Sequence, residues 1–138
     1  MDTITELRVP ITSAQDIVAA RQAGRALAKE MGFDTLAVTL ISTAISEVAR
    51  NILDHAERGE ILLRPLNHGA RAGVNVVASD HGPGIPDIAR AMQYGYSTRR
   101  GLGVGLPGAK WLMDEFFLES EVGIGTTIKM TKWLNRNG

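Results

Sequence analysis

Residues 101–110, GLGVGLPGAK, are the stretch of this sequence that decides its fold. Four of these ten residues are glycine. Glycines let a backbone approach a ligand closely, and free N–H groups at the start of a helix attract anions. The stretch therefore predicts a phosphate-binding loop that leads into a helix.

Two common glycine-rich designs do not fit this stretch. A Walker A loop needs a lysine directly after its last glycine, but Ala109 follows Gly108 and Lys110 comes one residue late. The pattern G-x-G-x-x-G does occur, but a dinucleotide fingerprint follows a buried strand and precedes an acidic residue about 20 positions on. Here the preceding residues, GYSTRRGL, are polar, and only 30 residues follow Gly108. We therefore reject both designs.

The composition predicts one globular domain over residues 1–138, since 44% of the residues are hydrophobic and 22% are charged. Lys plus Arg and Asp plus Glu number 15 each, so the sequence lacks the positive excess with which proteins bind nucleic acid or anionic membranes. The absence of cysteine excludes disulfides and thiolate chemistry. The N-terminus lacks a signal-peptide pattern and no apolar run approaches the about 20 residues of a membrane helix, so we expect a cytoplasmic protein.

The pattern of apolar and turn-forming residues predicts helices combined with antiparallel strand pairs. Strands are expected at 3–11, 60–66, 73–79, 116–122 and 126–134, and helices at 14–31, 35–56, 86–93 and 106–117. A glycine-rich loop is expected at 94–105. Because strands and helices do not alternate regularly, we expect an α+β sandwich of a sheet and a helical layer rather than a doubly wound sheet.

A second candidate motif lies on the helix expected at 35–56. Glu47 and Asn51 are four residues apart and therefore share one face, away from the apolar stripe of that helix. An amide oxygen suits Mg²⁺, and a carboxylate one turn earlier can hold a metal-bound water or accept a proton. A solvated helix face carrying Glu and Asn is the alternative that this pair alone leaves open.

Two further motifs lie at the ends of expected strands. Asp80-x-Gly-x-Gly begins where the strand at 73–79 ends, so its carboxylate can accept a hydrogen bond from the amino group of an adenine at the sheet edge. The motif GIGT at 123–126 lies in the last expected hairpin. Both motifs also occur in plain turns, so neither identifies a site alone.

Taken in order, four motifs resemble the N, G1, G2 and terminal Gly-Thr boxes of the GHKL ATP-binding superfamily. They are Glu47-x-x-x-Asn51, Asp80-x-Gly82-x-Gly84, Gly101-x-Gly103-x-Gly105 and Gly123-x-Gly125-Thr126. The stretches SEVARNIL, DHGPGIPD, GYSTRRGLGVGLPGAKWLMDEF and GIGTTIKMTKW are similar to those of small bacterial serine/threonine kinases in partner-switching modules, of the stressosome switch-kinase (RsbT) type, to which anti-sigma-factor kinases are related. The resemblance implies the GHKL (Bergerat) fold, an α+β two-layer sandwich in which helices cover one face of a mixed, mostly antiparallel sheet.

The resemblance also implies ATP and Mg²⁺ as cofactors and assigns roles to residues. Asn51 is expected to bind Mg²⁺, Glu47 to act as the catalytic base, and Asp80 with Thr126 or Thr127 to bind the adenine edge. Backbone N–H groups of residues 101–106 are expected at the phosphates. The other residues expected to contact the nucleotide are Gly82, Gly84, Thr98, Gly101, Gly103, Val104, Gly105 and Leu106. For Thr98 a plain polar loop is an equal alternative.

The sequence leaves no room for the histidine-bearing helical hairpin of histidine autokinases, so we expect the phosphate acceptor on another protein. The resemblance implies a serine of a STAS-domain antagonist as acceptor, and a PP2C-type phosphatase that the released kinase binds and activates in a stress-response switch. A homodimer is compatible with the sequence. Two alternatives stay open: an anti-sigma factor that sequesters a sigma subunit and phosphorylates its antagonist, and a degenerate ATP-binding scaffold that only docks.

Overall fold

The computed structural model describes residues 6–92 and 105–134, so the expected strand start at 3–5 and the loop residues 94–104 lie outside it. Its strands are β1 (Leu7–Ile11), β2 (Gly59–His68), β3 (Arg71–Asp80), β4 (Glu115–Glu121) and β5 (Gly125–Trp133). Its helices are α1 (Ala14–Met31), α2 (Thr35–Ala56), α3 (Ile88–Ala91) and α4 (Gly105–Leu112). These elements follow one another in the order that the sequence predicts.

The five strands form one antiparallel sheet in the order β1-β2-β3-β5-β4. Side chains alternate between the two faces of each strand, and those of one face join the hydrophobic core. The buried side chains of this face include Ile61, Leu63, Val74, Val76, Ile128 and Met130. The helices cover the same face, which confirms the predicted two-layer α+β sandwich with a mostly antiparallel sheet.

Helix α2 lies at the centre of the helical layer, because it packs against α1, α4 and the sheet. Its apolar stripe of Ile41, Ile45, Val48 and Ile52 is at most 1% exposed, as its helical spacing predicts. By length and mean hydropathy α2 also qualifies as a membrane span, contrary to the expectation that no segment would. However, 61% of its apolar window is buried inside the protein, as in the core helix of a globular domain.

Polar side chains begin both long helices where the sequence predicts. The Asp34 carboxylate accepts a hydrogen bond of 2.8 Å from Ala37 N at the start of α2. Asp16, in the first turn of α1, accepts hydrogen bonds from N–H and O–H groups of Thr12 and Ser13. These bonds, chiefly that from Thr12 N, hold the pKa of Asp16 below its usual value. Their contribution to stability is therefore present above the unfolded-state pKa and is lost as the pH falls through the folded-state pKa.

Helix α4 is shorter than predicted, since it ends at Leu112 rather than at residue 117. Asp114 ends it by bonding to β5: its N–H donates to Thr131 O at 2.9 Å, and its Oδ2 accepts from Trp133 N at 2.7 Å. The residues that follow pair with β5 as strand β4. Sheet pairing between segments distant in sequence thus overrides a helical apolar pattern.

Two turns also differ from their predictions. The β2–β3 hairpin turns over Gly69 and Ala70 alone, so both strands extend beyond their expected ends at residues 66 and 73. Gly69 has φ +63°, which suits such a tight turn. Helix α3 begins after Asp87, whose carbonyl accepts a hydrogen bond from Ala91 N, rather than at residue 86.

Leu63 tests the assigned core. Its side chain is fully buried on β2, so Leu63→Ala removes apolar contacts and leaves a cavity. We expect the free energy of unfolding, measured by urea denaturation, to fall by about 2–5 kcal/mol. Leu36→Ala is the control, because Leu36 is 67% exposed and its truncation should change stability by about 0.5 kcal/mol at most. Equal effects of the two substitutions would contradict this core.

Candidate active site

The carboxylate of Asp80 joins two of the predicted motifs at the end of the sheet. Asp80 is the last residue of β3 and is 8% exposed. Its Oδ1 accepts hydrogen bonds from Gly82 N at 2.9 Å and from Thr126 N at 3.2 Å. Among the residues that the structure describes, none donates to Oδ2. One oxygen thus fixes the local chain, and the other is available to a ligand.

Glycines let chain segments pack closely around Asp80. A Cβ on Gly125, which has φ +146°, would lie 2.1 Å from the Asp80 carbonyl oxygen. A Cβ on Gly84, at φ +81°, would lie 2.5 Å from a carbonyl oxygen of β4. At Gly82 a Cβ would lie 2.5 Å from the side chain of Ala56, at the end of α2. Packing between segments therefore requires glycine at these positions, whether or not a ligand also approaches them.

Glu47 connects α2 to the start of α4. It is 7% exposed, and its Oε1 accepts a hydrogen bond of 3.1 Å from the backbone N of Gly105, the first residue of α4. Its Oε2 lies 3.3 Å from Nη1 of Arg50, one turn later on α2. A guanidinium and a helix N-terminus, which both carry positive charge, thus hold this buried carboxylate from two sides.

Asn51 lines a cavity of about 70 Å³ between α2, the loop after β3, and α4. It is 9% exposed, and its side chain forms no hydrogen bond within the described part of the chain. The cavity is lined by Asn51, His55, Gly84, Ile85, Pro86, Ala91 and Leu106. It therefore brings together residues of two predicted motifs, Asn51 and Gly84, with Leu106, another residue expected to contact the nucleotide.

Comparison with known proteins identifies the family of this chain. Residues 11–132 match the model of the histidine kinase-like ATPase domain. The chain belongs to the histidine kinase-like ATPase family.

Two curated relatives narrow the class of this ATPase-family protein. The serine/threonine-protein kinase RsbT of Bacillus subtilis (strain 168) is 52% identical to it over 126 residues, which cover 91% of this chain and 95% of RsbT. An anti-sigma F factor of Caldanaerobacter subterraneus subsp. tengcongensis is 32% identical over 133 residues and 92% of each chain. At this identity and coverage, the chain is a GHKL-type serine/threonine-protein kinase similar to RsbT.

Solved structures share the fold of this kinase. The RsbU and RsbW domains of Rv1364c from Mycobacterium tuberculosis match 98% of the chain with a TM-score of 0.67 and 20% identity, and the match spans 34% of that longer chain. The catalytic domain of the histidine kinase ThkA matches 91% of the chain and 95% of its own length, with a TM-score of 0.51 and 16% identity. At these identities the likeness concerns the fold alone, and it agrees with the predicted GHKL fold.

Most residues that the sequence assigns to the site meet where α2, α4 and the end of the sheet join. They are Glu47, Asn51, Asp80, Gly82, Gly84, Gly105, Leu106 and Thr126. Of the two candidate threonines, Thr126 pairs with Asp80, whereas Thr127 pairs with Ser79 and faces the other side of the sheet. The other predicted residues, Thr98, Gly101, Gly103 and Val104, lie outside the described residues.

Three residues at this site of the kinase were not assigned to it from the sequence. His55 lines the cavity one turn beyond Asn51, and Arg50 pairs with Glu47. The helical spacing of α2 could have indicated both. Ser120 of β4 lies 2.8 Å from the Thr126 hydroxyl, and only the register of the β4–β5 hairpin could have indicated it.

Gly125 tests the close packing around Asp80. An alanine there would combine an unfavourable φ with a clash against the Asp80 carbonyl, so we expect Gly125→Ala to lower the free energy of unfolding by at least about 3 kcal/mol. Gly123→Ala is the matched control, because Gly123 has φ +85° but no atom within 4 Å of its Cβ position. We expect it to lose about 1 kcal/mol in the same urea denaturation. Equal losses would contradict the packing described.

Proposed function

We propose that the kinase transfers the γ-phosphoryl group of Mg-ATP to a serine of a STAS-domain antagonist protein in a stress-response partner switch. The observation that supports this most is the buried Glu47, whose Oε1 is held 3.1 Å from Gly105 N at the start of α4, one turn from Asn51. Phosphoryl transfer depends mainly on positioning and on neutralising charge. A base, a hard oxygen ligand and a helix N-terminus in one place suit that chemistry.

Glu47 is the general base in this proposal. The acceptor serine oxygen attacks the γ-phosphorus, its proton passes to a Glu47 oxygen, and ADP leaves with the electron pair of the broken P–O bond. Arg50 and the N–H of Gly105 hold the carboxylate, so it needs little reorganisation before the transfer. We propose that N–H groups at the start of α4 other than that of Gly105 donate to the phosphate oxygens.

The adenine edge is proposed to bind at Asp80 and Thr126. Oδ2 of Asp80 accepts no hydrogen bond from the residues in 6–92 and 105–134, and an ionised carboxylate can only accept. The exocyclic amino group of adenine is a donor, so it satisfies this oxygen, whereas the O6 of guanine would meet it as a second acceptor. The site therefore favours adenine over guanine.

Asn51 fits the Mg²⁺ of a bound nucleotide. Its carboxamide oxygen is a hard ligand with no partner among the described side chains. Within the same residues no group of three His, Asp or Glu side chains is placed to hold a metal alone. Mg²⁺ keeps most of its waters, so Asn51 and the phosphates would hold it together, and it would neutralise charge on the transferred group.

The relatives support a partner-switching role, and the resemblance to switch kinases suggests the classes of partner. RsbT is named as a serine/threonine-protein kinase, and one structural neighbour contains RsbU and RsbW domains. We accordingly propose that the kinase alternates between its STAS-domain substrate and a PP2C-type phosphatase, which it binds and activates once the substrate is phosphorylated. A cytoplasmic location, a single domain over residues 1–138 and a possible homodimer stay predictions from the sequence.

An anti-sigma factor is the second candidate function. The identity of 32% to an anti-sigma F factor, over 92% of each chain, supports it. Such a protein would sequester a sigma subunit and phosphorylate its antagonist. The identity of 52% to RsbT supports the switch kinase more strongly.

Glu47→Gln tests the catalytic assignment. Glutamine keeps an oxygen that can accept from Gly105 N but cannot take the serine proton, so transfer of labelled phosphate from ATP to the STAS-domain protein should fall by about 100-fold or more. The affinity for ATP should stay within about threefold of the wild type. Glu30→Gln, on the exposed side of α1, is the matched control and should transfer phosphate normally.

The same assay, together with a binding measurement on a sigma subunit, separates the alternatives. If Glu47→Gln transfers phosphate at the wild-type rate, Glu47 is not the base and has only a structural role. Label on a histidine of the kinase itself would overturn the proposed acceptor. Tight binding of a sigma subunit would favour the anti-sigma factor instead.

A further inference from the structure

Ser120, Thr126 and Asp80 form a row across three neighbouring strands. In the register of the sheet Ser120 of β4 pairs with Thr126 of β5, which pairs in turn with Asp80 of β3. Residues paired in this way stand side by side on one face. The face is the one that the helices cover, and Ser120 lies beside Thr126 on the side away from Asp80.

The Ser120 hydroxyl has three hydrogen-bonding neighbours. The backbone N of Ile85 donates to its Oγ at 2.7 Å. The Thr126 hydroxyl lies 2.8 Å from Oγ, and the carbonyl oxygen of Gly125 lies 3.3 Å from it. Ile85 lines the cavity beside Asn51, so this one hydroxyl connects the cavity wall to the strand end that carries Thr126.

The Ser120 hydroxyl can donate only one hydrogen bond, and this limits its possible partners. A serine hydroxyl has one hydrogen to donate, and the Ile85 N–H already fills one of its two acceptor positions. The remaining hydrogen goes either to the Gly125 carbonyl or to the Thr126 hydroxyl. Donation to the Gly125 carbonyl would use a 3.3 Å contact, which is long for O–H···O, and would make Thr126 the donor of the 2.8 Å contact. Donation to Thr126 places the Ser120 hydrogen in the contact of usual length.

When Ser120 donates to Thr126, the hydrogen of Thr126 is left for a ligand. The order of donation is then Ile85 N–H to Ser120, Ser120 to Thr126, and Thr126 to an acceptor in the site. Successive hydrogen bonds of this kind polarise and strengthen one another. Beside Asp80, which only accepts, the site then offers a donor. Adenine presents the matching pair, a donor at its amino group and an acceptor at the adjacent ring nitrogen N1.

We infer that Ser120 is a positioning residue for nucleobase recognition, which orients the Thr126 hydroxyl as a donor toward N1 of adenine. The inference rests on the proposed binding of ATP at this site. Ser120 itself does not touch the nucleotide. Its hydroxyl acts through Thr126, and its bond to Ile85 N holds the cavity wall at a fixed distance from that donor.

The test compares the binding of ATP and of 1-deaza-ATP, which lacks the N1 acceptor, by isothermal titration calorimetry. The wild type should bind ATP about five- to tenfold more tightly, the value of one hydrogen bond. Ser120→Ala should bind both ligands within about twofold of each other, because Thr126 is no longer oriented. Ser120→Cys, which keeps the side-chain size but donates weakly, should behave in the same way.

Ser79→Ala is the matched control, since Ser79 adjoins Asp80 but faces the other side of the sheet. It should keep the wild-type preference for ATP. If Ser120→Ala or the better-packed Ser120→Cys weakens the binding of both ligands equally and keeps the preference, Ser120 is merely structural and the inference is wrong. If the wild type binds neither ligand, the proposed function itself fails, which distinguishes the two outcomes.

Discussion

The rest of the site depends on the hydrogen bonds that the buried carboxylate of Asp80 accepts. Its Oδ1 accepts from Gly82 N and Thr126 N, so one oxygen fixes both the loop after β3 and the start of β5. Without this carboxylate, the N–H groups of Gly82 and Thr126 would lose their acceptor. They lie in a closely packed region, where a side chain at Gly82 or Gly125 would clash with neighbouring atoms. The remaining oxygen owes its fixed position to these bonds, and a fixed acceptor selects a ligand better than a mobile one.

At the other end of the site, the buried carboxylate of Glu47 likewise joins separate segments of the chain. Its carboxylate links the middle of α2 to the first residue of α4, and Arg50 holds the opposite oxygen. The proposed base and the helix N-terminus proposed to bind the phosphates are therefore joined by one hydrogen bond. Asn51, one turn further along α2, faces the cavity between these two ends. Helix α2 thus sets the spacing between the proposed base and the proposed metal ligand.

Local signals predict much of this structure, and pairing between distant segments explains what they do not. The bounds of α1 and α2 follow from helical spacing, from Asp34 at the start of α2 and from Gly32 after α1. Helix α4 was predicted too long because its apolar pattern continues into β4, and only hydrogen bonds to β5 reveal its end. In the same way the spacing of Glu47 and Asn51 indicates a shared face, whereas Ser120 meets Ile85 across 35 residues of sequence.

The central claim is that Asn51 and a nucleotide share one Mg²⁺ in the cavity beside α2. The most direct test is ATP affinity with and without Mg²⁺ in the wild type, in Asn51→Ala and in the control Asn67→Ala, whose residue is exposed in the β2–β3 hairpin. Mg²⁺ should tighten ATP binding at least about tenfold in the wild type and in Asn67→Ala. Loss of a residue that only supports a metal ligand already lowers metal affinity by about tenfold or more, and Asn51 is proposed as a direct ligand. In Asn51→Ala the effect of Mg²⁺ should disappear. An undiminished effect of Mg²⁺ in Asn51→Ala would contradict the account.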